Sequence, residues 1–544
     1  MRKKTARSLA LALAGLLIQQ GSVSAFGPTP PGSSTATPIK HLVVIFPENI
    51  SFDHYFATYP VAANLADEPP FYAQPGTPTV NGLSGALLTN NPNFLNSANG
   101  TGAINPFRLD RSQAATADQD HSYKPEQEAF DNGLMDLFPL SVGVAGTPPF
   151  PPPSGVTTQG LTEGYYDGNT VTALWNYAQR FAMSDNSYDT VFGPSTPGAL
   201  SLVAGQTNGA VPMTGSNVSS VTVTNTDSSL TLVGDADPTG DVCSTSSHQV
   251  SMTGPNIGEV LTAANITWGW FHGGFNLSLA NPNGTTGCGR TTTSAVTGVT
   301  ENDYIQHHEP FQFYASTQNL THARPTSIAN IGKTDAANHQ YDSDDFFAAL
   351  KANNLPSVSF IKPPGFEEGH AGYSDPLDEQ TFTVTVLNAI QQSPQWNSTA
   401  VVIAWDDSDG WYDHQMSPIL NQSASSFDAL TGTGMCGTGE ASLPGVNPTT
   451  LPHAQGRCGF GPRLPFLVIS PYSRPNFVDH TLTNQSSVIR FVEDNWLGGT
   501  RLGDGSFDAI SNSITSMMDF DHGPQNFPLI LSPSTGEPEF SFPF

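Results

Sequence analysis

The sequence predicts an α/β protein: a mainly parallel sheet with helices packed on both faces. Four short runs, His41 to Phe46, Val358 to Ile361, Val401 to Trp405 and Phe466 to Ile469, are nearly continuous in apolar residues. Strands buried on both faces read this way. Between such runs the period changes to that of a helix. Phe382, Val386, Leu387 and Ile390 fall on one helical face, and so do Val488, Ile489 and Val492. Strands alternating with helices give a sheet covered on both sides.

A third observation is where the runs lead. The first passes into Glu48-Asn49, the second toward Glu368 and His370, and the third into Asp406-Asp407. In open parallel sheets, ligands gather beyond the carboxyl ends of the strands. The predicted architecture therefore points to a site there.

In chain order, Arg2, Lys3, Lys4 and Arg7 precede an apolar run from Leu9 to Ile18, with Val23-Ser24-Ala25 as small residues for cleavage. This reads as a signal peptide over 1–25, too short for a stable span. A Pro-, Gly-, Ser- and Thr-rich linker is expected at 26–38, and one catalytic domain over 39–544. Residues 205–300 are rich in Thr, Ser, Gly, Asn and Val and alternate at Ser220-Val221-Thr222-Val223-Thr224. A strand-and-loop insertion is expected there.

Cys243, Cys288, Cys436 and Cys458 form an even set, as in exported proteins. Their order suggests Cys243–Cys288 and Cys436–Cys458, although four cysteines permit three pairings. The expected location is periplasmic or secreted, with no transmembrane segment. The formal charge is −28 and becomes more negative once the basic signal is removed. Such acidity argues against a nucleic-acid partner, whose phosphates are met mainly by Lys and Arg.

The candidate chemistry begins with Asp406-Asp407. Adjacent carboxylates at the end of a buried strand repel unless a cation lies near. Glu48 and Asn49 end another strand, and these oxygen ligands suit hard divalent ions. Taken alone, each pair also fits an ordinary cap or turn. His121, His307, His308 and His370 have polar or Gly-rich neighbours and can donate to a phosphoryl oxygen or protonate a leaving group. His248, His272, His322, His339 and His453 are read as structural. Ser195 sits in the turn Phe192-Gly193-Pro194-Ser195-Thr196-Pro197-Gly198, which can fix one hydroxyl in direction. A Ser-His-Asp esterase needs G-x-S-x-G, and this turn lacks the second glycine. A non-catalytic surface protein using the 205–300 segment as its binding face is the rival of another class.

Taken together, the segments resemble the bacterial phosphoesterases that include phospholipases C and metal-dependent acid phosphatases. The stretch from Ile39 through Glu48-Asn49-Ile50-Ser51-Phe52-Asp53-His54 to Phe56 is similar to the opening signature of that family. Ser195 stands where its G-P-[ST] turn carries the nucleophile. Trp405-Asp406-Asp407-Ser408-Asp409-Gly410-Trp411-Tyr412-Asp413-His414, His307-His308-Glu309-Pro310-Phe311, Gly369-His370-Ala371-Gly372-Tyr373-Ser374 and Asp479-His480-Thr481 resemble further blocks, in order.

The resemblance implies an alkaline-phosphatase-like three-layer core. It implies one divalent metal ion (Ca, Mg, Mn or Zn) held by Glu48, Asn49, Asp406, Asp407 and Ser195. It implies His121, His308 and His370 at the phosphoryl group, with His307, Asp413, His414 and Asp479 in support. The substrate it implies is a phosphate ester, either a small phosphomonoester or a phospholipid. The run from Gly369 to Asp378 and the presence of Thr196 after the nucleophile resemble the acid phosphatase branch more than the phospholipases.

Overall fold

The computed structural model describes residues 35–143, 152–524 and 527–539. The expected signal peptide lies outside them. Of the expected linker, residues 35–38 are described. Ala36 N donates to Asn495 O, and Thr37 donates through N and Oγ1 to Asn495 Oδ1 at 2.9 and 2.8 Å. That end is tied down.

The central sheet has eight strands, β1 (His41–Ile45), β2 (Ala182–Ser184), β3 (Trp268–His272), β4 (Gln340–Asp342), β5 (Val358–Lys362), β6 (Thr399–Ala404), β7 (Phe466–Ile469) and β8 (Phe477–Asp479). Their spatial order is β4-β3-β5-β1-β6-β7-β2-β8. Only β7 runs against its neighbours. The sheet is thus mainly parallel, as predicted. The four apolar runs became β1, β5, β6 and β7. The short strands β2 and β4 were not predicted, because three residues cannot display a period.

Side chains of β1 alternate between two cores, as a strand's period of two requires. Leu42 and Val44 join one and Val43 and Ile45 the other, all fully buried. The first core is closed by α4 (Ser195–Ala204) and α7 (Ser486–Trp496). The second is closed by α1 (Phe52–Phe56), α3 (Thr172–Arg180), α5 (Ser343–Lys351) and α6 (Pro376–Gln391). The predicted helical faces are buried: Phe382, Val386, Leu387 and Ile390 on α6, and Val488, Ile489 and Val492 on α7. α6 starts where it does because Asp375 accepts from Leu377 N and Asp378 N, with Pro376 in the first turn.

Within 205–300 the expectation needs correction. Five strands between Asn208 and Met252 form a separate sheet, but Trp268–His272 is β3 of the central one. Its Trp-Gly-Trp-Phe core is buried on both faces, and the polar composition around it hid the signal. The cysteines pair as Cys243–Cys288 and Cys436–Cys458. Among the described residues, no helix is long and apolar enough to cross a membrane.

Candidate active site

β5, β1 and β6 are adjacent and parallel, with Ile45 level with both Ile361 and Ile403. Their carboxyl ends therefore open at one height. β5 delivers Lys362 there, β1 delivers Glu48 and Asn49, and β6 delivers Asp406 and Asp407, all of them buried. Asn49 takes φ +64°, a left-handed conformation that Asn tolerates better than most residues. That turn aims its N at Asp406 Oδ1 (2.9 Å) and its Nδ2 at Asp409 Oδ1 (3.0 Å).

Ser195 is the first residue of α4 and is only 2 % exposed. Its Oγ lies 2.9 Å from Glu48 Oε2 and 3.2 Å from Asp407 Oδ2. Two glycines make this approach possible. Gly193 turns the chain at φ +122°. Gly198 presses on the β6 end so closely that a Cβ there would meet Asp406 O at 2.1 Å. Glu126, on α2 (Tyr123–Phe130), ties the two loops together. It accepts from Gly193 N at 2.9 Å and from Ser408 Oγ at 2.7 Å.

The oxygen atoms outnumber their donors. Asn49 Oδ1, Asp406 Oδ2 and Asp409 Oδ2 are buried and accept no hydrogen bond. Burial, with the neighbouring Asp406 charge adding to it, drives the Asp407 carboxyl well above its ordinary range. Buried acids of this kind fit a hard divalent cation. Lys362 Nζ lies against Glu48 Oε1 and 4.0 Å from Asp406 Oδ2.

His308 Nδ1 lies 3.3 Å from Glu48 Oε1 and 3.2 Å from Glu368 Oε2. Burial works against its charge, but Glu368 outweighs that and raises its pKa. Against its own burial, Glu368 is held down to about 2 by His308 and Lys362. His121 Nδ1 contacts Gln119 O at 2.9 Å and Asp409 Oδ1 at 3.3 Å. Burial opposes its charge too, while Asp407 and Asp409 hold its pKa well above the ordinary value. Burial lowers His370, whose ring centre is 5.9 Å from that of His121. Its Nδ1 bonds Ala371 O at 2.7 Å, which leaves Nε2 free of that contact. His307 packs beside His308 and is lowered to about 4 by burial and by that neighbour's charge.

Asp413 and His414 sit one step back. Asp413 accepts from Asp53 N at 3.1 Å, and His414 Nδ1 meets Asp53 Oδ2 at 2.6 Å. Arg463, fully buried, bridges both acids at 3.2 and 3.0 Å. This network clamps the loop after β1 to the loop after β6. Asp479 is not brought into the cluster. It ends β8, and its carboxylate accepts from Thr481 Oγ1 and Ser516 Oγ. His272, His322 and His339 are tied to Glu309, Asp241 and Trp268 O respectively.

Sequence reasoning missed Lys362, Glu126 and Arg463, each of which meets partners far away in the chain. Only Lys362 left a signal, a cation closing an apolar run. It also missed Asp235, which accepts from Thr196 N and Oγ1 at 3.0 Å at the start of α4. Asp235, Asp118, Asp120 and His121, with Val221 and Phe427, line an open pocket of about 540 Å³ next to Pro194.

Relatives of known kind share most of this chain. The non-hemolytic phospholipase C of Pseudomonas aeruginosa is 25% identical over 84% of this chain and 53% of its own length. That of Burkholderia pseudomallei is 22% identical over 85% and 55%. Phospholipase C B of Mycobacterium tuberculosis is 23% identical over 89% and 77%. The chain thus spans about half the length of the first two relatives. Among solved structures, murine ectonucleotide pyrophosphatase/phosphodiesterase 5 covers 64% of this chain and 95% of its own, at 11% identity and a TM-score of 0.29. The profile of the Phosphoesterase family matches residues 39–497, from β1 past the end of α7. The chain belongs to the Phosphoesterase family.

Proposed function

We propose that this protein hydrolyses phosphate esters with Ser195 as nucleophile, in a site that Glu48, Asn49, Asp406, Asp407 and Ser195 would build around one divalent ion. The single observation behind it is the serine hydroxyl between Glu48 and Asp407 at the carboxyl edge of three parallel strands. A divalent ion bound there would balance the buried carboxylates and ease loss of the serine proton. An alkaline-phosphatase-like core is part of the same reading.

Ser195 Oγ attacks phosphorus in line while the bond to the leaving oxygen breaks, giving a free alcohol and a phosphorylated serine, which is phosphoserine from a monoester and a serine phosphodiester carrying the head group from a diester. Glu48 and Asp407, both within hydrogen-bond distance of Oγ, are placed to receive its proton. His308, oriented by Glu368, donates to a phosphoryl oxygen. His121, kept charged by its carboxylates, gives a proton to the departing alcohol. Water then attacks phosphorus from the opposite side, with neutral His370 Nε2 taking its proton, and Ser195 is released as it takes back its proton from Glu48 or Asp407.

The named relatives favour a phospholipid diester as substrate. The pocket adds to this, since its acids Asp118, Asp120 and Asp235 outnumber the cations Lys124 and His121 and disfavour a substrate that carries extra negative charge. The monoester reading keeps one observation in its favour: Thr196 faces Asp235, where the resembling phospholipases often carry His. Hydrolysis of phosphatidylcholine and p-nitrophenyl phosphate by the purified protein, side by side, separates the two. Dominant phosphocholine release supports the lipase reading, and dominant monoester cleavage supports the phosphatase. No release from either contradicts the proposal. Export, to the periplasm or the medium, belongs to this reading on the strength of the two disulfides.

A further inference from the structure

Lys362 is 1 % exposed at the side chain, a rare state for an ammonium that no other part of the mechanism uses. It closes β5, and its Nζ rests against Glu48 Oε1 and over the Phe46 ring, 5.1 Å from the centroid. On the same side of Glu48 lie His308 and Glu368. Ligand atoms of these three residues fall within 4.8 Å of one another, a spacing fit for a metal ion. Burial lowers the Lys362 pKa from its ordinary value, and the charges of Asp406, Glu368 and Asp407 work against that and favour the ammonium.

The edge of the sheet therefore offers two adjacent places for positive charge. One is ringed by Asn49, Ser195, Asp406 and Asp407. The other is bounded by Glu48, Glu368 and His308, and the lysine reaches into it. Glu48 borders both. A divalent ion in the second place would sit against a fixed ammonium at contact distance, with the cost that like charges carry in a buried site.

We propose that Lys362 stands in for a second metal ion, so that the site takes a single divalent cation beside one covalently tethered charge. The inference rests on the metal reading above. Removing the ammonium while keeping the length of the side chain should open the second place to an ion.

The test is to strip the full protein with a chelator, add manganese, remove the excess and count bound ions per chain by elemental analysis. An anomalous-scattering map then locates them. Wild type and Lys362→Arg should bind one ion among Glu48, Asn49, Ser195, Asp406 and Asp407. Lys362→Met should bind a second among Glu48, His308 and Glu368. Two ions in wild type, or one in a folded Lys362→Met protein, overturns the inference. The wild-type count and map decide the matter if the Met variant does not fold: one ion with Lys362 Nζ beside Glu48 supports it, two overturn it. A wild type that binds none removes the metal reading and the inference together.

Discussion

Ser195 Oγ lies 2.9 Å from Glu48 Oε2, although 147 residues separate them in the chain. One ends a parallel strand's reach and the other begins a helix packed on the opposite side of that strand's end. The contact exists because Gly198 lets α4 press against the backbone of Asp406. Chemistry at Ser195 is therefore coupled to two loops that are built separately.

Ser195→Ala should lower kcat by a factor on the order of 10⁴ to 10⁶, as nucleophile removal does in other covalent hydrolases. Steady-state kinetics and circular dichroism of the same sample check this. A folded variant with near-normal turnover removes Ser195 from the reaction.

Asp406→Asn should lose both bound metal and activity, and a chelator should do the same to wild type until a divalent ion is restored. Elemental analysis alongside the assay checks this. Full activity in a metal-free protein contradicts the assignment of Glu48, Asn49, Asp406 and Asp407.

Arg463→Met should destabilise the fold by about 3–5 kcal/mol, because it leaves Asp413 buried without its cation and Asp53 with His414 alone. Urea unfolding measures it. Adding Asp413→Asn should recover part of the loss, and a single variant as stable as wild type shows that the clamp carries no weight.

Glu379 gives a pH prediction. It is buried, and burial pushes its pKa from 4.5 up to about 8, against the pull of hydrogen bonds from Tyr55 and Trp405. Between those values the folded chain holds a proton that the unfolded chain releases. Its contribution to stability is thus full below pH 4.5 and is lost as pH rises toward 8. Glu379→Gln cannot ionise, so its melting temperature should fall less than that of wild type from pH 5 to about pH 8. Parallel curves for the two proteins contradict this.

The fold was legible where strands buried on both faces form unbroken apolar runs, as β1, β5, β6 and β7 do, and not at β3, where Gly and polar flanks hide the signal. The residues that follow them, Glu48, Asn49, Asp406 and Asp407, could be placed at one edge for the same reason. Lys362 was passed over because a lysine after an apolar run normally marks the way out to solvent. Glu126 and Arg463 could not be found, since a buried charge has no local period and its partners lie from 50 to several hundred residues away. Asp479 shows the converse. It stands in a block resembling the family, yet β8 lies at the far edge of the sheet from β1 and its carboxylate serves a turn there.

The most direct test is to quench the enzyme in acid during turnover and map the covalent adduct by mass spectrometry, phosphate from a monoester and phosphocholine from phosphatidylcholine. That adduct on the peptide carrying Ser195, absent from Ser195→Ala and formed as fast as turnover requires, is the predicted result. Sustained turnover with neither adduct on that peptide contradicts the central claim.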